Sequence, residues 1–189
     1  MAERWRLFVA IPIGEELRAA LAPSLDAWRS RPDLAGLRWT DPAAWHLTVH
    51  FLGATDPSDV TRIRADVAGV AAAHEPIQLA TGGLGGFPSA GRARVAWYGV
   101  ADPERRLRRL ASEVSSVLAP EEPPRFRAHV TLARARSEPV DLRDWVAGAD
   151  APDGRLEIGE MLLMRSHLGR GPARHEVVGT VPLGGRVHA

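Results

Sequence analysis

Apolar and polar positions along this chain predict short strands interleaved with helices. Residues 6–12 (Arg-Leu-Phe-Val-Ala-Ile-Pro) are a compact apolar run with β-branched and aromatic members, which predicts a strand. From Glu15 to Arg29, Leu17, Leu21, Leu25 and Trp28 recur at helical spacing, and Pro23 predicts a kink or break. Residues 37–40 read as a short extended piece ending at the turn signal Asp41-Pro42. Trp45 to Leu52 then alternates sharply, and Gly53 is expected to close that strand. Asp56-Pro57-Ser58-Asp59 opens a second helix with Val60, Ile63, Val67 and Val70 on one face, and Pro76 lies past its end.

Ile77 to Ala80 predicts a strand that gives way to a glycine-rich loop over residues 81–91. A strand (Ala93 to Val100), a helix (Pro103 to Leu118), a Pro-rich turn (Ala119 to Pro124) and a strand (Phe126 to Ala133) follow. Trp145 falls in a short helical piece, and Leu156 to Ser166 with Glu176 to Leu183 predict a closing strand pair joined by a Gly/Pro-rich loop. The order is not a regular βαβα series, so the expected class is α+β. A strand–helix–strand unit ending in His46-Leu47-Thr48-Val49 is echoed by one ending in His129-Val130-Thr131-Leu132. That echo predicts a single domain over residues 1–189, built of two related lobes.

Composition narrows the function. Lys+Arg 24 against Asp+Glu 23 is close to neutral, which argues against a protein that coats nucleic acid but not against one that grips a single phosphate. Every cationic residue is Arg, as a GC-rich coding bias would give, so any positive contact to a substrate is a planar fork suited to phosphate oxygens. With Cys 0 there is no disulfide, thiolate metal site or cysteine nucleophile. No run is long enough to span a bilayer and the N-terminal apolar run is too short for a signal peptide, so a cytoplasmic soluble monomer is expected.

The two histidine strands carry the chemistry. Side chains two apart share a strand face, so His46, Thr48 and His50 are expected on one side, opposite Trp45, Leu47, Val49 and Phe51. Likewise Arg127, His129 and Thr131 are expected opposite Phe126, Ala128, Val130 and Leu132. A single His-x-Thr is usually only a polar face, but two in matching strands form a candidate site. Two facing imidazoles can hold opposite protonation states, one taking a proton from water and one giving a proton to a leaving alkoxide. The hydroxyls of Thr48 and Thr131 can donate to phosphate oxygens, and an Arg can offset the developing charge. A cyclic phosphodiester suits such a set, with no metal and no cofactor. As a zinc shell, two His flanked by Thr, with no evident third ligand, are poor.

These paired H-x-T motifs resemble the two-histidine phosphoesterase superfamily, and the chain is similar to its RNA 2′,3′-cyclic phosphodiesterase (LigT-like) family. The matching stretches are residues 6–11, Trp45 to Gly53, the Gly-Gly-Phe-Pro loop ending at Pro88, Val95 to Val100, Phe126 to Arg134, and Ser166, His167 and Leu168. The resemblance implies a bilobed fold, with antiparallel sheets related by a pseudo-twofold axis around a central cleft. It implies hydrolysis of a 2′,3′-cyclic end on RNA to a 2′-phosphate, and reverse 2′-5′ ligation in some members. By that analogy His46 is the proton donor to the leaving 3′ oxygen and His129 the acceptor that activates water, roles that would exchange in reverse. Arg134 matches an arginine near the phosphate and Phe51 an aromatic near the base. Both lie five residues past their motif His, so in a regular strand they would face away unless a bulge intervenes. Arg127 has the better parity as a substrate contact. His175 stands where the family often has Tyr.

Two alternatives stay open: an RNA-end binding module with little turnover, and a phosphodiesterase for a small cyclic nucleotide. Other signals are weaker. Gly82-Gly83-Leu84-Gly85-Gly86 lacks the Lys-Ser/Thr of a phosphate-binding loop. Arg105, Arg106, Arg108 and Arg109 are read as a solvated helix face, or else as an RNA-steering patch. His50 is expected to be peripheral, His74 a charge partner at a helix end and His188 part of the tail. The six Trp are expected mainly in the core, with one or two lining the cleft.

Overall fold

The structure, a computed structural model, describes residues 3–121, 126–167 and 174–184. The end of the Pro-rich turn, Leu168, the loop of the closing hairpin and His188 lie outside the described residues. Nine strands form one sheet: β1 (Trp5–Pro12), β2 (Leu37–Trp39), β3 (His46–Thr55), β4 (Ile77–Phe87), β5 (Val95–Val100), β6 (His129–Ala135), β7 (Gly154–Ile158), β8 (Glu160–His167) and β9 (Arg174–Pro182). Among the described residues four α-helices accompany them: α1 (Glu15–Arg29), α2 (Val60–Ala71), α3 (Arg106–Leu118) and α4 (Arg143–Gly148).

The strand order is β7-β4-β5-β6-β3-β1-β8-β9, with every pairing antiparallel. This is the expected α+β class. At its centre β3 meets β6 through one pair only, Leu47 with Val130, whereas each runs alongside its outer neighbour for far longer. Two four-strand arrays, β9-β8-β1-β3 and β6-β5-β4-β7, therefore join at a narrow seam. The short β2 occupies the rest of the inner edge of β6.

The helices interleave the two arrays. α2 and α3 pack together over β9 and β3, while α1 lies on β7 and α4 on β4. So α1 leaves β1 to cover the opposite array, and α3 leaves β5 to cover β3. The main apolar core runs from Leu7 and Leu47 through Leu107 and Val130 to Trp145 and Leu156, all buried, and Phe8, Ala10 and Met164 form a second, small cluster.

Several boundaries differ from the sequence reading, each for a physical reason. Pro23 neither breaks nor ends α1, which is continuous from Glu15 to Arg29. A proline inside a helix costs about 3 kcal/mol. Burial of Leu17, Leu21, Leu25 and Trp28 on one face, at roughly 1.5–3 kcal/mol each, outweighs that cost. Gly53 does not close β3; it carries φ +70 inside the strand, at a point where the register with β1 slips. Residues 81–87 of the glycine-rich stretch are not a loop but the continuation of β4, and only the residues after Phe87 leave the strand. At Gly85 any Cβ would lie 2.1 Å from the Trp97 ring, so the bare backbone is what lets that indole lie across the strand. α3 begins at Arg106 rather than Pro103, because the Asp102 carboxylate accepts from Leu107 N and Arg108 N at its start. The closing pair is three strands: β7 joins β4 in one array, and β8 with β9 finishes the other.

Candidate active site

β3 and β6 each carry one irregularity that decides what faces the seam. Along β3 the pairing with β1 steps from Ala10–Thr48 to Val9–His50, which leaves Val49 as an extra residue. Such a bulge reverses the alternation beyond it. Phe51 therefore returns to the side of His46 and Thr48, and His50 turns to the opposite side, its Nδ1 3.1 Å from Ser115 Oγ on α3. Along β6 the pairing with β5 steps from Ala96–Ala133 to Trp97–Thr131, leaving Leu132 extra. Leu132 and Ala133 are both buried in succession, and Arg134 returns to the side of Thr131. The bulge that a five-residue spacing demanded is present in both strands.

At the seam lies a cavity of about 420 Å³ whose walls include His46, Thr48, Phe51, Thr131, Arg134 and His175. Around the Leu47–Val130 pair, antiparallel order sets His46 toward Thr131 and Thr48 toward His129. His129 stands beside this cavity, not in its wall, and is near enough for its charge to act on His46.

Each histidine is held in the same way. His46 Nδ1–H donates to Ala44 O at 2.9 Å, and His129 Nδ1–H donates to Arg127 O at 2.6 Å. A carbonyl can only accept, so in the neutral ring each Nε2 is left as a bare acceptor. An aromatic ring walls each imidazole: Phe8 lies 5.1 Å from His46, and Phe87 lies 4.9 Å from His129 at 89°. His175 adds a third imidazole, edge-on to His46 at 5.2 Å.

The electrostatics follow from this packing. Burial pushes His46 down to about 4, against the opposing pull of the Ala44 carbonyl. The positive charges of His175, Arg134 and His129 add to the depression. His129 is lowered too, first by burial and then by Arg134 and Arg127, and His175 is lowered for similar reasons. Arg134 has its own pKa lowered, first by desolvation and then by Arg38. With the cleft open, both motif rings are thus neutral bases at neutral pH, beside an arginine whose charge is unmatched.

The remaining candidates separate. Phe51 is 68% exposed at the cavity, its ring 5.8 Å from the buried Phe8 ring and otherwise open to water. Arg127 is exposed and precedes β6, which starts at His129. Its guanidinium lies over the Phe87 ring at 5.4 Å, and its carbonyl orients His129. His74 is buried and paired with Glu113 on α3 at 2.8 Å. The arginines of α3 belong to the helix behind β3, where His50 meets Ser115, on the side away from the cleft. Of the six Trp, only Trp39 lines the cavity, and Trp28, Trp45 and Trp145 are buried. Sequence reasoning missed Arg6, Phe8, Arg38 and Ser166 as wall residues. Their one available signal was alternation on β1, β2 and β8, which says nothing of which face meets the seam. Among the described residues no three His, Cys, Asp or Glu side chains converge in a way that could hold a metal ion, and no helix is long and apolar enough to cross a membrane.

A family model described as the 2′-5′ RNA ligase superfamily matches residues 17–170. An RNA 2′,3′-cyclic phosphodiesterase of Archaeoglobus fulgidus is 29% identical over 167 residues, covering 86% of this chain and 92% of its own length. A crystal structure of E. coli LigT complexed with phosphate superposes with a TM-score of 0.71 at 27% identity, covering 96% of this chain and 99% of that one. A Thermus thermophilus protein of known crystal structure shares the fold at a TM-score of 0.75 and 24% identity, again over 96% and 99% of the two chains.

Proposed function

This chain belongs to the 2′-5′ RNA ligase superfamily, and we propose that it hydrolyses 2′,3′-cyclic phosphate ends of RNA to 2′-phosphates, with His46 and His129 as its acid–base pair. The observation that carries the reading is the matched pair of imidazoles, each with Nδ1 tied to a carbonyl and Nε2 free, flanking a cavity that also presents two hydroxyls and an arginine. Curated relatives that bear the phosphodiesterase name support it.

In this mechanism a water oxygen bonds to phosphorus as its proton passes to Nε2 of His129. The bond from phosphorus to the 3′ oxygen breaks on the far side, and that oxygen takes a proton from Nε2 of His46. Thr48, Thr131 and Arg134 bear on the non-bridging oxygens, where charge builds. The exposed Phe51 ring offers a face for the terminal base. His46 receives its proton with the substrate, because burial keeps the ring neutral in the open cleft. An arriving phosphate anion offsets the neighbouring positive charges and favours the protonated ring. After the step the two rings have exchanged protonation states, which is the state from which the reverse reaction, closure of the 2′-phosphate to the cyclic ester with loss of water, would start.

We also infer that it works in the cytoplasm as a monomer. The test is turnover, in excess chelator, of an oligoribonucleotide ending in a 2′,3′-cyclic phosphate, with the product isomer identified. Conversion to the 2′-phosphate supports the reading. A folded protein that binds the end without opening it would be an RNA-end binding module instead.

A further inference from the structure

A cyclic phosphodiester carries one negative charge, and the cavity walls hold more positive charge than that requires. Arg6, Arg38 and Arg134 line it, against a single carboxylate, Asp41. That carboxylate is already engaged, its Oδ1 accepting from Ala43 N at 2.9 Å. Arg38 sits directly opposite Arg134 in the β2–β6 pairing. Like charges in that position disfavour the sheet. Among the described residues neither guanidinium has a hydrogen-bond or ion-pair partner, whereas Arg18, Arg31, Arg62, Arg143 and Arg165 each hold a carboxylate. On β2, Leu37 is buried and Trp39 packs against Trp28 and Trp145, which leaves Arg38 exposed at the cavity wall.

Two adjacent, unmatched arginines beside a site for one phosphate point to a second anionic group on the same ligand. We propose that Arg38 forms a second phosphate subsite, which takes the phosphoryl group on the 5′ oxygen of the terminal nucleotide while Arg134 takes the cyclic phosphate. The inference rests on the cyclic-phosphodiesterase reading above. On an RNA end the second group is the last internucleotide diester; on a free nucleotide it is a 5′-phosphate. Arg38 touches no reacting atom in this scheme, so it sets which substrates bind well and not how fast the ring opens.

The experiment compares three substrates: a nucleoside 2′,3′-cyclic phosphate with a 5′-hydroxyl, the same compound with a 5′-phosphate, and a dinucleotide with a cyclic end. Wild type is expected to favour the second and third by about tenfold in kcat/KM, expressed in KM, as one charge-assisted contact provides. Arg38→Gln should bring the second and third substrates to within about twofold of the first in kcat/KM, while Arg38→Lys keeps part of their advantage. A gain for the dinucleotide alone would identify RNA as the source of the phosphate; a gain for both would show that the phosphoryl group suffices. Equal use of all three by wild type, or an equal loss on all three in Arg38→Gln, would overturn the subsite while leaving the hydrolase reading intact. A folded protein that opened none of the three would defeat the hydrolase reading and this inference together.

Discussion

β3 and β6 use one backbone plan and dress it differently. Both present His-x-Thr, tie the imidazole Nδ1 to the carbonyl two residues upstream, and insert one extra residue that returns the fifth position to the cleft. Beyond that they diverge. On β3 the fifth residue is the exposed ring of Phe51, and on β6 it is the cation Arg134. His46 is pressed by Phe8 and by a third imidazole, His175, and its pKa falls to about 4. His129 meets Phe87 at right angles, and the Arg127 guanidinium lies over that same ring. On the proposed mechanism, repetition of the backbone builds a matched acid–base pair, and the unlike fifth residues divide charge stabilisation from base contact.

The largest effect should come from the shared plan. His46→Ala and His129→Ala are each expected to lower kcat by about 10² to 10⁴. The double variant should fall little below the worse single one, since both rings serve one transition state. Additive losses in single-turnover rates would mean that the two strands act independently.

The unlike fifth residues should separate next. Arg134→Gln is expected to reduce kcat by about 10² to 10³, because it removes charge from the developing transition state. Phe51→Ala should raise KM by about tenfold with kcat nearly kept, the signature of a lost stacking face. Steady-state kinetics showing the same kcat loss in both would erase the division between the strands.

Much of this contrast was legible in the sequence, and the rest failed for identifiable reasons. Alternation with buried Leu47, Val49 and Val130 was enough to put both His and both Thr on one face, because a strand's two-residue period is local. The positions of Phe51, His50 and Arg134 depend on bulges set by the pairing with β1 and β5, which no local pattern shows. The glycines of β4 looked like a loop because their role is to leave room for Trp97, a residue of another strand. Arg38 was hidden altogether: its meeting with Arg134 exists only once β2 lies along β6.

A smaller effect concerns stability and pH. His46 is held below the ordinary histidine value in the fold, so the unfolded chain takes up its proton first as pH falls. The associated stability is complete above about pH 6.5 and is lost as pH drops toward 4, by up to about 3 kcal/mol. His129 and His175 act in the same direction. Urea unfolding of His46→Gln should show a shallower fall over that window than wild type, and His129→Gln a smaller change. A wild-type slope unchanged by His46→Gln would mean that the ring titrates normally in the fold. The smallest kinetic effects are expected from Thr48→Val and Thr131→Val, each about five- to tenfold in kcat/KM, as loss of one hydroxyl donor gives.

The central claim, that the two histidines hold different roles, is tested most directly by changing the leaving atom. A cyclic substrate with sulfur in place of the bridging 3′ oxygen has a leaving group that departs without being protonated. On this account it should restore His46→Ala by about 10² or more relative to the oxygen substrate, while His129→Ala stays impaired on both, as removal of a general acid alone predicts. Rescue of His129→Ala instead, or equal rescue of the two variants, would contradict the division of labour between the strands.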